Sequence, residues 1–137
     1  MIVKPLIRSN ICLNAHPVGC GKEVERQVLY VKDQTKKRGV PKSAPKNVLV
    51  LGCSTGYGLA SRIAAAFAYG ATTIGVSFEK EGTETKSGTP GWYNNMAFDR
   101  AAKKEGLKYA TYNGDAFSDE MRKTIISKAK EMNIRFD

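Results

Sequence analysis

Apolar and polar positions along the chain form blocks that predict alternating strands and helices. Asn47–Leu51 is a short, continuous run of mostly branched apolar residues, which is typical of a strand buried on both faces of a parallel sheet. Two further apolar runs, residues 71–78 and 107–112, predict two more strands. Helical spacing predicts helices over 59–69, over 92–105 and from Ser118 to about Met132.

The strand–helix pair occurs three times and is followed, at residues 134–137, by the start of another strand. Such alternation predicts an α/β fold, a Rossmann-type doubly wound parallel sheet with right-handed crossovers, over residues 47–137. In this topology the fourth strand pairs beside the first. The sheet is therefore expected to be incomplete at its C-terminal end, with Asn47–Leu51 as an unpaired apolar edge.

Residues 1–46 precede this portion and are predicted to form an N-terminal strand and helix extension. Two apolar pieces within residues 2–13 predict a strand or hairpin, and residues 16–21 are predicted to form a turn. Valines recur at helical spacing after residue 22, so a helix is expected over about 22–32. A basic loop is expected to follow over 32–46.

The chain of 137 residues has 22 Lys and Arg against 13 Asp and Glu, a net charge of +9. Such a balance favours acidic partners, and nucleic acid, phosphorylated cofactors, coenzyme A and acidic carrier proteins are all consistent with it. The positive charge is concentrated in residues 32–46, where no aromatic residue interleaves with it. A solvated basic loop without a nucleic-acid partner is therefore expected.

Membrane, metal and disulfide chemistry are not indicated by the sequence. No apolar run has the length of a membrane-spanning helix and the N-terminus lacks a signal-peptide core, so a cytoplasmic protein without a membrane partner is expected. Cys12, Cys20 and Cys53 lack metal-ligand spacing and are expected to be reduced and partly buried. His16, the one histidine, is expected to have a structural rather than a catalytic role.

Candidate chemistry begins in the glycine-rich segment after the first predicted strand. Gly52, Gly56 and Gly58 stand between this strand and a predicted helix. A pyrophosphate needs close backbone approach and N–H groups at a helix N-terminus, and glycines leave room for it. Ser54 and Thr55 add hydroxyls for phosphate oxygens. The context predicts a dinucleotide-binding turn, and a tight turn without a ligand is the alternative.

The ends of the next two predicted strands carry further candidate residues. Glu79 stands where an adenosine ribose rests, and a carboxylate there binds the 2′-hydroxyl and repels a 2′-phosphate, which favours NAD(H) over NADP(H). Lys80 weakens this discrimination, and a solvated loop carboxylate is the alternative reading. Asp115 and Ala116 are placed to meet the adenine, while Asp115 is equally suited to the entry into the next helix.

Several separate motifs resemble one enzyme family. The stretch VLVLGCSTGYGLASRIAAAFAYGATTIGVSFEK, with TPGWYNNMAFD and NGDAFSDE after it, is similar to the single-chain bacterial trans-2-enoyl-CoA reductases, also called enoyl-acyl-carrier-protein reductases. The opening MIVKPLIRSNICLNAHPVGC is similar too, so the likeness covers essentially the whole chain. The resemblance implies a fold akin to the short-chain dehydrogenases, NADH as the cofactor, and reduction of the carbon–carbon double bond of 2-enoyl thioesters in fatty acid metabolism.

The resemblance also implies which residues bind NADH. They lie in three groups, one after each predicted strand, for the pyrophosphate, the adenosine ribose and the adenine end. In that order the positions are Gly52, Cys53, Ser54, Thr55, Gly56 and Tyr57; Phe78 and Glu79; and Asp115 and Ala116.

The chain departs from the family pattern in its length and in its tyrosines. Family members are much longer, and their catalytic tyrosine and lysine, spaced Tyr-x8-Lys, come later. None of the six tyrosines here has a lysine four or nine residues on, so no catalytic residue is assigned. We therefore expect a marginally stable fragment, truncated at Asp137, that supplies the NADH-binding part. It would not turn over substrate alone, and it would meet enoyl-CoA or enoyl-acyl-carrier protein through the missing C-terminal part.

Two other functions agree with part of the sequence. A free-standing nucleotide-binding module without catalysis would share the glycine turn and Glu79, but it needs a sheet that is complete without a fourth strand. A basic nucleic-acid-binding domain explains the charge of +9 but neither the turn nor Glu79.

Overall fold

The computed structural model describes residues 4–9, 11, 12 and 14–137, in which a short antiparallel ribbon precedes a parallel sheet. The strands are β1 (Ile7–Arg8), β2 (Ile11–Cys12), β3 (Asn47–Leu51), β4 (Thr72–Ser77) and β5 (Tyr109–Asn113). The helices are α1 (Pro17–Arg38), α2 (Gly56–Ile63, continuing as a π-helical turn over Ala64–Ala68), α3 (Pro90–Lys104) and α4 (Asp119–Glu131).

The parallel sheet has the strand order β3-β4-β5 and is covered on both faces. Side chains of α1, α2 and α3 form one buried apolar cluster, which includes Ile63 and Phe98. On the other face, Ile74 and Val76 of β4 pack with Ile125 of α4. Central strand β4 is buried along its whole length. The predicted Rossmann-type doubly wound fold is therefore confirmed.

The N-terminus of α1 differs from the sequence prediction. The predicted turn at residues 16–21 is wrong, because the helix begins at Pro17, whose fixed φ suits the first helical position. His16 is the N-cap residue, and its Nδ1 accepts a hydrogen bond from Gly19 N at 3.1 Å. His16 therefore has the structural role expected of it.

The C-terminal half of α1 also extends beyond its prediction. Residues 32–38 are helical, so the predicted basic loop is wrong over this stretch and is confined to residues 39–46. Val24 and Val28 are buried against α2 and α3, and this burial stabilises a helix that contains two glycines. Helix α1 thus packs in the same core as the Rossmann portion. The division of the chain at residue 46 stays a prediction.

The N-terminal ribbon agrees with the predicted hairpin where the structure describes it. Ile7 lies opposite Cys12, and Arg8 lies opposite Ile11. The predicted positions 2, 3 and 13 lie outside the described residues.

Strand β3 lies at the edge of the sheet, as expected. It is only partly buried rather than buried on both faces, and Leu51 is 54% exposed. The residues after α4 return to this edge: Asp137 N donates to Asn47 O at 3.1 Å, and Asp137 Oδ2 accepts from the amides of Asn47 and Lys46 at 2.8 and 2.6 Å. These bonds lower the pKa of Asp137. The C-terminal residues therefore run beside the first strand of the parallel sheet, as predicted.

Other expectations concern single residues. Cys53 is fully buried and Cys20 half-buried, both as free thiols, while the side chain of Cys12 lies outside the described residues. Met96, whose spacing in α3 predicts burial, is 44% exposed.

Within the described residues no group of His, Cys, Asp and Glu is arranged to hold a metal ion. Across the same residues, every helix is too short or too polar to cross a membrane.

One arginine is completely buried between α2 and the sheet. Arg62 Nη2 donates to Ala110 O at 2.9 Å and to Thr111 Oγ1 at 2.8 Å, and the guanidinium lies 4.0 Å from the centre of the Phe98 ring. Thr111 in turn donates to Asp99 Oδ1 at 2.5 Å. Burial lowers the pKa of Arg62 and raises that of Asp99. The chain of hydrogen bonds joins α2, β5 and α3.

Replacing Arg62 by alanine is expected to lower the free energy of unfolding by about 3–5 kcal/mol, since it leaves buried acceptors without their donor. The matched control is Arg26→Ala on the exposed face of α1, where Arg26 pairs with Glu23 at 2.6 Å, and this variant should change stability little. Urea denaturation of both variants measures the difference. Equal losses would contradict the role of the buried guanidinium.

Gly58→Ala is expected to destabilise the fold by about 1–3 kcal/mol or more. A Cβ at Gly58 would lie 1.9 Å from the carbonyl oxygen of Gly52, which is backbone and has no rotamer to change. Gly21→Ala is the control, because a Cβ there meets only Arg100 Nη2 at 3.8 Å and alanine favours the helix. Thermal unfolding compares the two variants, and an unchanged Tm for Gly58→Ala would refute the close approach.

Candidate functional site

The three groups of predicted cofactor positions meet at one edge of the sheet. They follow β3, β4 and β5, whose carboxyl ends point the same way because the strands are parallel. Backbone hydrogen bonds link the segments, from Gly52 N to Val76 O at 2.8 Å and from Gly114 N to Ser77 O at 2.7 Å. In open α/β sheets ligands bind outside this edge.

The glycine turn places the N-terminus of α2 at this edge. Gly52 and Gly56 have φ of +76° and +52°, a backbone region that favours glycine. The N-cap residue Thr55 makes no side-chain hydrogen bond to the helix, and the first turn contains no acidic residue. The positive end of the helix dipole and the first-turn amides are therefore left for an anion.

Not every amide of the turn is available to a ligand. Gly52 N and Cys53 N both donate to Val76 O, at 2.8 and 3.1 Å. These two residues thus continue the hydrogen bonding of β3 with β4. Anion binding by backbone N–H groups is confined to the residues that follow.

The side chains of Cys53 and Ser54 are turned into the protein. Cys53 Sγ lies 3.6 Å from Asn95 Oδ1 and 3.7 Å from Arg62 Nη1, and burial raises the pKa of its thiol. Ser54 is buried, and its Oγ donates to Glu79 Oε1 at 2.5 Å. The expected use of the Ser54 hydroxyl for a phosphate is therefore not how the structure employs it.

Glu79 is half-buried and engaged through both carboxylate oxygens. Oε1 accepts from Ser54, and Oε2 accepts from Thr89 Oγ1 at 2.5 Å. The backbone of Glu79 is fixed by Asn113, whose Oδ1 accepts from Glu79 N at 2.7 Å and whose Nδ2 donates to Glu79 O at 2.9 Å. Glu79 is thus an anchored carboxylate rather than a freely solvated loop residue.

Three of the residues that fix this site are missed by the sequence analysis. Asn113 orders the end of β4, Asn94 Nδ2 donates to Ser54 O at 2.9 Å, and Thr89 bonds the carboxylate of Glu79. Each acts across a gap of at least 10 residues in sequence. The only local signal is the position of Asn113 at the end of a strand, beside a predicted ligand edge.

Large aromatic side chains surround the edge without being buried. Tyr57, Phe78 and Phe117 are 94%, 82% and 84% exposed, and they follow β3, β4 and β5 in turn. Phe117 is not among the predicted positions. Each of the three segments that follow the strands at this edge thus carries one exposed aromatic ring.

Asp115 and Ala116 lie in the turn between β5 and α4. Asp115 Oδ1 accepts from Phe117 N at 2.9 Å, and its carbonyl accepts from Ser118 Oγ at 2.8 Å. Ser118 caps α4 as predicted, because its Oγ also accepts from Met121 N. Asp115 therefore serves the entry into α4, while its exposed position also leaves it open to a ligand. Ala116 is half-buried against the α4 face of the sheet.

Comparison with protein families places both parts of the chain in one group. Residues 2–84 match a family described as the NAD(P)H binding domain of trans-2-enoyl-CoA reductase. Residues 86–137 match the trans-2-enoyl-CoA reductase catalytic region. The junction between the two matches falls in the loop between β4 and α3.

Individual relatives agree with these matches. The crystal structure of Treponema denticola trans-2-enoyl-CoA reductase in complex with NAD is 66% identical, with a TM-score of 0.92, and the chain covers 35% of it. The Clostridium acetobutulicum enzyme in complex with NADH is 40% identical with a TM-score of 0.88, and 33% of it is covered. Both likenesses include 100% of this chain. An enoyl-[acyl-carrier-protein] reductase (NADH) of Edwardsiella ictaluri is 58% identical over 96% of the chain, which covers 32% of it.

The chain thus spans about a third of the length of the relatives it matches. The binding-domain match alone includes residues 2–84, which is more than half of the chain, and its fold and sequence agree with solved members throughout. The chain belongs to the trans-2-enoyl-CoA reductase family.

Proposed function

We propose that this chain supplies the NADH-binding part of an enzyme that reduces the carbon–carbon double bond of trans-2-enoyl thioesters. The observation that carries the proposal is the uncapped N-terminus of α2 beside the anchored carboxylate of Glu79, at one sheet edge. Relatives crystallised with NAD or NADH, and relatives named for NADH, support the choice of cofactor.

The pyrophosphate is proposed to bind at the start of α2. Helix N-termini favour anions through their N–H groups and dipole. Thr55, Gly56 and Tyr57 surround this end of the helix, and Gly52 gives the turn its shape. Ser54 contributes through its backbone and Cys53 through packing, since their side chains are buried.

The adenosine half is proposed to lie across the ends of β4 and β5. Glu79 accepts hydrogen bonds from the ribose diol and repels a 2′-phosphate, which selects NADH. Phe78 offers an exposed ring beside the ribose, and Asp115 with Ala116 contacts the adenine end. Lys80 is exposed and forms no ion pair with Glu79 among the described residues, so it does not neutralise the selecting charge.

The residues of this chain bind and orient the cofactor, which supplies a hydride to Cβ of the enoyl thioester when bound. A proton at Cα completes the saturated product. No tyrosine here has the family's lysine spacing, so the proton donor is not assigned to this chain. The proposed substrates are enoyl-CoA and enoyl-acyl-carrier protein, because a relative named for the first is 66% identical over 100% of the chain and one named for the second is 58% identical over 96% of it.

The full-length protein is expected to bind NADH saturably and NADPH at least about tenfold more weakly, because the like charges of Glu79 and the 2′-phosphate repel each other. Adding a trans-2-enoyl-CoA should then consume NADH and yield the saturated acyl-CoA. Fluorescence titration measures binding, and loss of NADH absorbance measures turnover. Equal affinity for both cofactors would remove the selecting role of Glu79, and absence of NADH binding by the folded protein would remove the proposal.

Gly56→Val is expected to weaken NADH binding by on the order of 100-fold, because it disturbs the close approach at the helix N-terminus. Gly106→Val is the matched control. Both glycines have positive φ, +52° and +67°, with no atom within 4 Å of an added Cβ, but Gly106 lies at the opposite edge of the sheet. Backbone strain is therefore similar in the two variants. A comparable loss of NADH affinity in both would argue against a specific role of the turn.

A further inference from the structure

Thr89 lies outside the expected cofactor positions, yet it forms a hydrogen bond with the carboxylate of Glu79, which is expected to bind the ribose hydroxyls. Its Oγ1 donates to Glu79 Oε2 at 2.5 Å, while Ser54 Oγ donates to Oε1 at the same distance. The two hydroxyls come from different segments, one after β3 and one immediately before α3. The carboxylate is therefore fixed from two sides.

Thr89 is itself firmly placed. Its N donates to Lys80 O at 3.0 Å, and its Oγ1 accepts from Lys80 N at 3.1 Å. The next residue back is fixed as well, because Gly88 N donates to Tyr93 OH at 2.7 Å. The hydroxyl thus donates to Glu79 at 2.5 Å and accepts from Lys80 N, while Lys80 O at 3.3 Å is a second and longer acceptor for the same hydrogen. The shorter contact with Glu79 is the stronger of the two.

Gly91 provides the space for this arrangement. A Cβ at Gly91 would lie 2.2 Å from Glu79 Oε1 and 2.7 Å from Ser54 Cβ. The carboxylate therefore lies directly against the first turn of α3, which contains no acidic residue of its own. The positive end of this helix favours a negative charge at Glu79.

The charge of Glu79 is positioned without being neutralised. Both bonded donors are uncharged hydroxyls, and no Lys or Arg of the described residues forms an ion pair with it. A carboxylate has about four acceptor sites, and two of those of Glu79 have no donor among the described residues. Such an arrangement offers hydrogen-bond acceptors to the ribose diol of NADH and an unpaired negative charge to the 2′-phosphate of NADPH.

We propose that Thr89 is a positioning residue that sets the preference for NADH over NADPH by fixing the carboxylate of Glu79. The inference rests on the proposed NADH-binding function of this edge. Without the Thr89 hydroxyl, Oε2 loses its donor and the side chain gains rotamers that point to solvent. The carboxylate then spends less time opposite the ribose, so NADH loses hydrogen bonds and NADPH meets less repulsion.

The test compares Thr89→Val with Thr89→Ser in the full-length protein, by titration with NADH and NADPH. Thr89→Val has nearly the same volume and lacks the hydroxyl, and it is expected to lower the ratio of NADH to NADPH affinity by about tenfold, the order of one hydrogen bond to a charged group. Thr89→Ser keeps the hydroxyl and should restore most of the ratio. Thr83→Val is the loop control, because Thr83 Oγ1 accepts only from Lys86 N within the same loop.

Glu79→Gln separates failure of this inference from failure of the proposed function. If Glu79→Gln removes the preference while Thr89→Val leaves it unchanged, the role of Thr89 is refuted and the proposed function stands. If the wild-type protein binds NADH without a preference, or Glu79→Gln leaves the preference intact, this inference fails together with the selecting role of Glu79, while NADH binding at this edge stands. Absence of NADH binding by the folded protein would remove the proposed function itself. A drop in Thr83→Val equal to that in Thr89→Val, or no rescue by Thr89→Ser, would assign the effect to loop folding and overturn the inference.

Discussion

The close approach of α2 to the end of β3 is the constraint on which the rest of this structure depends. The carbonyl oxygen of Gly52 occupies the space that a side chain at Gly58 would need, so this close approach requires glycine at position 58. One helical turn further along α2, Arg62 donates to the carbonyl oxygen of Ala110 in β5. Gly75 leaves room for the guanidinium, because a Cβ at Gly75 would lie 2.5 Å from Arg62 Cζ. The direction of α2, and with it the position of its dipole, follows from these two contacts.

A second set of contacts fixes Glu79 at the sheet edge where the candidate site lies. The carboxylate of Glu79 accepts hydrogen bonds from hydroxyls in the turn after β3 and at the start of α3. One carboxylate therefore joins three segments at the sheet edge. Asn113 fixes the backbone of the same residue from β5. Side chains that bind a ligand are most precise when their neighbours fix them in this way. The position of the Glu79 carboxylate is therefore set by hydrogen bonds within the protein.

The sequence predicts the repeating elements well because each is encoded by local periodicity. Strand β3 occurs at its predicted residues, and Ser118 caps α4 as expected. The start of α1 is mispredicted because histidine is an uncommon cap and nearby glycines suggest a turn. Thr89 is missed for a different reason: its partner is 10 residues away, and only the folded loop brings the two together. Local pattern thus predicts elements and their edge, while the hydrogen bonds between segments depend on tertiary structure.

The loop between β4 and α3 is closed by hydrogen bonds at two places, its base and its tip. Lys80 and Thr89 are paired at its base, and a smaller turn at its tip is closed by the bond from Thr83 N to Lys86 O at 2.8 Å. Each of these two turns is closed by its own hydrogen bonds. Residues added near the tip would change the loop's reach into solvent at a modest entropic cost, because the pairing of Lys80 with Thr89 that leads to Glu79 lies at the base. The tip is therefore a suitable point for inserting a reporter sequence.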